Sequence, residues 1–288
     1  MNEKQPLFTW ENARAILLWA VLPLVAGLLI AAALLPQPQI GIIRLSTQID
    51  PVSASDLLKQ LDYVRQHPEI RGVVLVLDSP GGTVADTEAV YMEMLKVRQQ
   101  TPIVASINLM AASGAYYLSV GSDYIFCKPT SDVGNIGVIG YTPPAPSLVD
   151  GIVSTGPYKL FGFERDQYVR QIEAVKQGFA SAVKLGRGAA LKAEMSEVLS
   201  GKLWPGMEAV RLGLADALGT ESDAIEKAAQ LAGVRNPKVV EIYPLAIYDA
   251  PVSSPFYGVS PDGVTLTTPA KAGLYLLYIP PATLAAEK

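Results

Sequence analysis

Residues 72–82 read GVVLVLDSPGG, and this stretch decides the fold. Five branched apolar residues follow Gly72 without a polar break, the pattern of a strand buried on both faces within a parallel sheet. The run ends at Asp78. Ser79-Pro80-Gly81-Gly82 then turns the chain before a helical pattern over residues 84–99. Two glycines let backbone approach a ligand with no Cβ in the way. The first N–H groups of the helix that follows are unpaired. Read alone, the turn also fits an ordinary strand-to-helix connection.

A second unit of the same form comes next. Residues 102–107 predict a strand. Asn108, Leu109 and Met110 lead into Ala111-Ala112-Ser113-Gly114-Ala115-Tyr116-Tyr117, with a helix expected over residues 112–120. Ser113 fits two roles there, a helix N-cap or a nucleophile. Small neighbours leave room for a substrate carbonyl. The free N–H groups where the glycine turn meets its helix, and the N–H of Gly114, are candidate oxyanion donors.

Outward from these units the alternation continues. Strands are expected at residues 40–45, 124–127 and 239–243. An amphipathic helix is expected over residues 53–66, starting at Ser53/Asp56 with Leu57, Leu58, Leu61 and Val64 on one face. A long helix follows over residues 165–187, with further helices near 192–199, 205–212 and 222–231. This order predicts an α/β domain with parallel strands joined by crossovers.

At 288 residues the chain is long enough for one large domain or two small ones. Net charge is −4 with no basic block, which argues against a nucleic-acid partner. One cysteine excludes an intrachain disulfide, and Cys127, in an expected strand, reads as a small buried apolar residue. His67, the one histidine, precedes Pro68 at a helix exit and reads as a surface residue. A serine nucleophile here therefore needs another base. Lysine serves once its amine is held neutral, and lowering its pKa from about 10.4 to near 7 costs about 4–5 kcal/mol, which burial supplies. Lys159, in Gly156-Pro157-Tyr158-Lys159-Leu160-Phe161, has uncharged neighbours. Lys96, Lys176, Lys184 and Lys192 fall in helical stretches that read as solvated.

Residues 15–35, AILLWAVLPLVAGLLIAAALL, carry no charge. Their helical length, about 32 Å, matches a hydrocarbon core of about 30 Å. Trp10 and Trp19 have interfacial character. The expectation is an uncleaved single-pass anchor with the body outside the cytoplasm, a cleaved signal peptide being the rival reading. The chain is thus divided into a short N-terminal segment (1–14), an anchor (15–35), a catalytic body (36–243) and an extension rich in proline, glycine, serine and tyrosine (244–288). Within the extension, residues 272–281 (AGLYLLYIPP) are too short to span a bilayer. A docked strand, an oligomer contact, a lipid-touching tail and an irregular packed extension all remain open for them.

Several ordered motifs between residues 40 and 241 resemble the signal peptide peptidase A family, the S49 serine–lysine peptidases of the ClpP/crotonase fold. They are the turn Ser79-Pro80-Gly81-Gly82, Ala111-Ala112-Ser113-Gly114 with Tyr116-Tyr117, and VGNIGV at 133–138. Gly156-Pro157-Tyr158-Lys159, Gly186-Arg187-Gly188 and AVRLGLADALG at 209–219 complete the set. The resemblance implies an α/β spiral of β-β-α units preceded by one transmembrane helix. It implies Ser113 as nucleophile, Lys159 as general base, and the N–H groups of Gly82 and Gly114 as the oxyanion hole, with no cofactor or metal. Asn135 stands where the family has a serine that bonds the lysine amine. Its amide oxygen can accept the same bond, so it is the expected lysine-orienting residue. Ala115 and Leu160 also depart, replacing a common glycine and a usual polar residue. Expected partners are short hydrophobic peptides such as signal-peptide remnants, the bilayer through residues 15–35, and further copies of the chain in a homo-oligomer. Two alternatives stand beside this: a crotonase-like enzyme on acyl-thioesters, and an inactive anchored scaffold.

Overall fold

A strand apolar on both faces needs neighbours on both edges and cover on both sides. The structure, a computed structural model, gives residues 70–79 both. It describes residues 10, 14, 17–27, 37–140, 155–156, 158–159, 162, 164–247, 257–260, 263–266 and 274–277. The chain forms two compact units, Met1–Pro38 and Gln39–Lys288.

In the first unit, a π-helical turn at Leu17–Val21 leads into α-helix over residues 22–27. Leu17, Leu18, Trp19, Leu22, Leu24 and Val25 are exposed. Among the described residues no helix is long and apolar enough to cross a membrane. Positions 15–16 and 28–35 of the expected anchor lie outside the described residues.

The second unit is built on a sheet. Strand β1 (Gln39–Leu45) leads to helix α1 (Pro51–Gln66) and strand β2 (Ile70–Ser79). The short β3 (Gly81–Thr83) and helix α2 (Val84–Arg98) precede β4 (Ile103–Ala112), helix α3 (Gly114–Ser119) and β5 (Tyr124–Cys127). Next come β6 (Asp132–Gly134), β7 (Ile139–Gly140), the long helix α4 (Arg165–Arg187) and α5 (Met195–Val198). They are followed by β8 (Leu203–Pro205), α6 (Gly206–Leu212), β9 (Ala217–Leu218), α7 (Glu221–Leu231), β10 (Lys238–Glu241) and α8 (Tyr243–Ala246). The extension adds β11 (Tyr257–Ser260), β12 (Gly263–Leu266) and β13 (Leu274–Leu277).

The main sheet runs β10-β1-β2-β4-β5-β9, parallel throughout. Its two faces carry separate cores. Val73, Leu75 and Leu77 join the larger one with Leu57, Leu61 and Met94 from α1 and α2. Val74 and Val76 join the other with Ala224 and Ala228 of α7. Period-2 alternation thus sends every second residue of one apolar run to each side.

Among the boundaries that differ from the sequence expectation, three shape the body most. Helix α1 begins at Pro51, because Asp50 caps it through Val52 N (3.0 Å) and Ser53 N (2.9 Å) and proline suits the first helical position. Strand β4 runs on to Ala112, so Ala112 is not helical. Its second half trades partners, leaving β5 and pairing Met110, Ala111 and Ala112 with Asp132, Val133 and Gly134 of β6. The helix expected near 192–199 shrinks to Met195–Val198.

Residue pairs lock the body together. Arg187 donates to both oxygens of Asp216 (2.8 and 2.9 Å) and to Gly213 O (2.8 Å). Asp216 also accepts from Ile125 N at 2.7 Å. The fully buried Tyr116 donates to Leu214 O at 2.8 Å, which fixes α3 against the chain after α6. Cys127 is buried as expected, and burial pushes its thiol up to about 11. His67 closes the C-terminus of α1, its Nδ1 2.8 Å from Tyr63 O and its ring stacked on Tyr63.

Candidate active site

The turn after β2 is shaped by its own serine. Ser79 Oγ, buried, accepts from Gly81 N at 3.2 Å, and Gly81 takes φ +94°, a left-handed value open to glycine. Ile49 then grips β3 from one side. Its N–H donates to Gly81 O (2.7 Å) and its carbonyl accepts from Thr83 N (2.9 Å). The approach is close enough that a Cβ on Gly82 would lie 1.8 Å from Ile49 O. Glycine is the residue that fits. Successive strand residues aim their N–H and C=O groups at alternate edges. With Gly81 and Thr83 turned to Ile49, Gly82 directs its N–H to the opposite side.

Ser113 links the end of β4 to the start of α3. It takes the N-cap position, yet its side chain makes no capping bond. Its backbone lies at φ 54°, ψ −120°, a region that a side chain makes costly by about 1–3 kcal/mol. The residue is 1% exposed, and its N–H donates to Gly134 O at 2.8 Å. Among the described residues the Ser113 hydroxyl is therefore not spent on capping, and its backbone is strained.

Gly114 brings the two units together. A Cβ there would lie 3.3 Å from Gly82 N and 2.7 Å from Thr87 Oγ1, which is itself committed to Thr83 O at 2.7 Å. The N–H of Gly114, first in the helix, has no intrahelical acceptor. Two backbone donors therefore flank the serine.

Asn135 follows Gly134, whose carbonyl holds Ser113, and is also left-handed at φ 53°. Its N–H donates to Lys202 O at 2.7 Å and its Nδ2 to Gly201 O at 2.7 Å, leaving Oδ1 as an acceptor. Lys159, expected to owe its neutrality to burial, lies instead in an exposed turn, its N–H bonded to Gly156 O at 3.2 Å. Among the described residues no hydrogen bond links it to Ser113 or Asn135. Pro157 and Leu160 beside it lie outside the described residues.

Two supporting residues carried no sequence signal: Ile49 and Thr87 act through backbone or close contact. Asp78, at the end of β2, has its carboxyl pushed up by burial, partly offset by the charge of Lys128. Among the described residues no cluster of three or more His, Cys, Asp or Glu is placed to hold a metal ion.

Two family models match this chain. Residues 96–235 match peptidase family S49, and residues 33–133 match the Clp protease family. A Synechocystis sp. protein named as a candidate protease is 32% identical over 197 residues, covering 64% of this chain and 70% of its own length. The chain belongs to peptidase family S49. Its α/β fold is ClpP-like. Among other S49 relatives, the chloroplastic serine protease SPPA of Arabidopsis thaliana is 29% identical over 217 residues, 70% of this chain. Protease 4 of Salmonella typhi is 29% identical over 198 residues, 64% of this chain. This S49 chain spans about a third of the length of both, 32% in each case. Ser113 and Lys159 fall within the segment matched to S49, and Gly82 within the segment matched to Clp protease.

Proposed function

We propose that this chain is a membrane-anchored serine endopeptidase with a Ser113–Lys159 dyad, cleaving short hydrophobic peptides such as remnant signal peptides. The observation that carries the reading is Ser113 itself: buried, left-handed, spared from capping, and flanked by the N–H groups of Gly82 and Gly114. The amine of Lys159 takes the proton from Ser113 Oγ as the oxygen attacks the peptide carbonyl. The oxyanion that forms is stabilised by Gly82 and Gly114 N–H. The protonated lysine gives its proton to the leaving amine, and a water then repeats the cycle on the acyl-serine. Asn135 Oδ1 orients the lysine amine.

Anchoring through residues 15–35 is supported by the uncharged sequence and by the exposed apolar side chains over residues 17–25. The peptidase body then lies outside the cytoplasm. Casein and peptide hydrolysis tests the dyad. Both Ser113→Ala and Lys159→Ala are expected to abolish it, and full activity in either variant would overturn the assignment.

A further inference from the structure

Strand β13, from the extension, does not pack on the body at random. It lies between β3 and β7, antiparallel to both, as the middle strand of a three-stranded sheet. The register pairs Tyr275 with Thr83, Leu276 with Gly82 and Leu277 with Gly81. On the other edge Leu274 pairs with Gly140 and Tyr275 with Ile139. One partner of this strand is therefore the oxyanion turn itself.

The alternation in β3 sharpens the point. Gly81 O and Thr83 N are both bonded to Ile49. Gly82 thus turns its N–H and C=O toward the edge where Leu276 lies directly opposite. Opposed antiparallel residues that face each other exchange both backbone bonds. Gly82 N–H then donates to the Leu276 carbonyl, and Leu276 N–H donates to the Gly82 carbonyl. Gly82 N–H is the donor assigned above to the reacting carbonyl. The segment itself, Leu274-Tyr275-Leu276-Leu277, is uncharged and apolar. Without it β3 and β7 present open strand edges, which take up extended peptide by strand addition.

We propose that residues 274–277 are the resident ligand of the peptide groove, an intramolecular apolar strand held in substrate register with the Leu276 carbonyl at Gly82 N–H. Peptide substrates enter by displacing it. The meaning given to Gly82 rests on the serine-peptidase reading, whereas the occupancy rests on the strand register alone.

The test uses full-length Ser113→Ala protein, which holds the groove without cutting, and a fluorescein-labelled peptide of sequence AGLYLLYIPP (residues 272–281) as probe. A second change, Leu276→Pro, removes the N–H that bonds Gly82 and breaks the strand. A groove filled in nine of ten molecules weakens apparent probe affinity about tenfold. The double variant is therefore expected to bind the probe about tenfold more tightly than Ser113→Ala alone. Amide exchange gives the second readout. Gly82 N–H is expected to be protected in Ser113→Ala and exposed in the double variant. Equal probe affinity, or a Gly82 amide that exchanges freely in both proteins, overturns the occupancy. Wild-type protein assayed on casein separates the two proposals. Tighter probe binding without hydrolysis by wild type sinks the peptidase reading and keeps the occupancy, and hydrolysis with equal probe binding does the reverse.

Discussion

Ser113 and Lys159 are held in opposite ways. Ser113 is 1% exposed, directly follows a central strand, and is pinned by Gly134 from β6 and flanked by the turn that Ile49 clamps. Lys159 lies in an exposed turn held by local bonds, its N–H to Gly156 O and Gly162 N–H to Tyr158 O. The serine half of the proposed site is thus an outgrowth of the core, and changes there disturb fold and chemistry together. The lysine half is a surface element, where chemistry can be removed with the fold left intact.

The largest effects come from removing either functional group. Ser113→Ala and Lys159→Ala should each lower kcat/KM on a peptide substrate by about 10³-fold or more, as when one member of a cooperating catalytic set is lost. Thermal unfolding separates them. Lys159→Ala should leave stability within about 0.5 kcal/mol, as exposed substitutions do. A stability loss beyond that would show that Lys159 is built into the core as Ser113 is.

Gly82→Ala is next. With Ile49 O 1.8 Å from the new Cβ, the turn must shift, at a cost of about 3 kcal/mol or more. Urea unfolding reads this directly, and an unchanged midpoint would mean that β3 and Ile49 are not in contact.

Ser113→Gly sharpens the comparison in the other direction. Glycine accepts φ 54° without strain, so stability should rise by about 1 kcal/mol while hydrolysis disappears. Destabilisation would show that the serine is not strained.

Cys127 gives a smaller, pH-linked effect within the core. Its buried thiol has its pKa raised from 9.0 to about 11. A raised value means that the thiol's contribution to stability is complete below its ordinary value and is lost as pH rises through about 11. At pH 8 an aromatic disulfide reagent should label Cys127 no faster than the protein unfolds; rapid labelling of native protein would place the thiol at the surface.

Much of the sheet was legible because its strands are apolar on both faces. Residues 72–77 could be read as central from composition alone, and Cys127 as buried. The extension of β4 through Leu109, Met110, Ala111 and Ala112 was not legible. These residues favour helix locally, and pairing with β6, more than twenty residues on, together with Ser79 of β2, holds them extended. Sequence also left Ser113 divided between cap and nucleophile. The choice turns on a backbone angle set by β4, β6 and α3 together, a property no local pattern carries. Residues 272–281 stayed open among four readings for the same reason, since β13 finds its partners some 190 residues earlier at Gly81–Thr83. Asn135 was legible only as a departure from a resembling family. Its backbone strain and its bond to Gly201 appear only in three dimensions.

The central claim is that the strained serine at the head of α3 is the nucleophile. Treating wild-type protein with a fluorophosphonate and mapping the adduct by mass spectrometry tests it most directly. The account predicts one phosphonylated residue, Ser113, with labelling lost in Lys159→Ala; stable modification of another serine, in protein whose peptide hydrolysis is blocked, would contradict it.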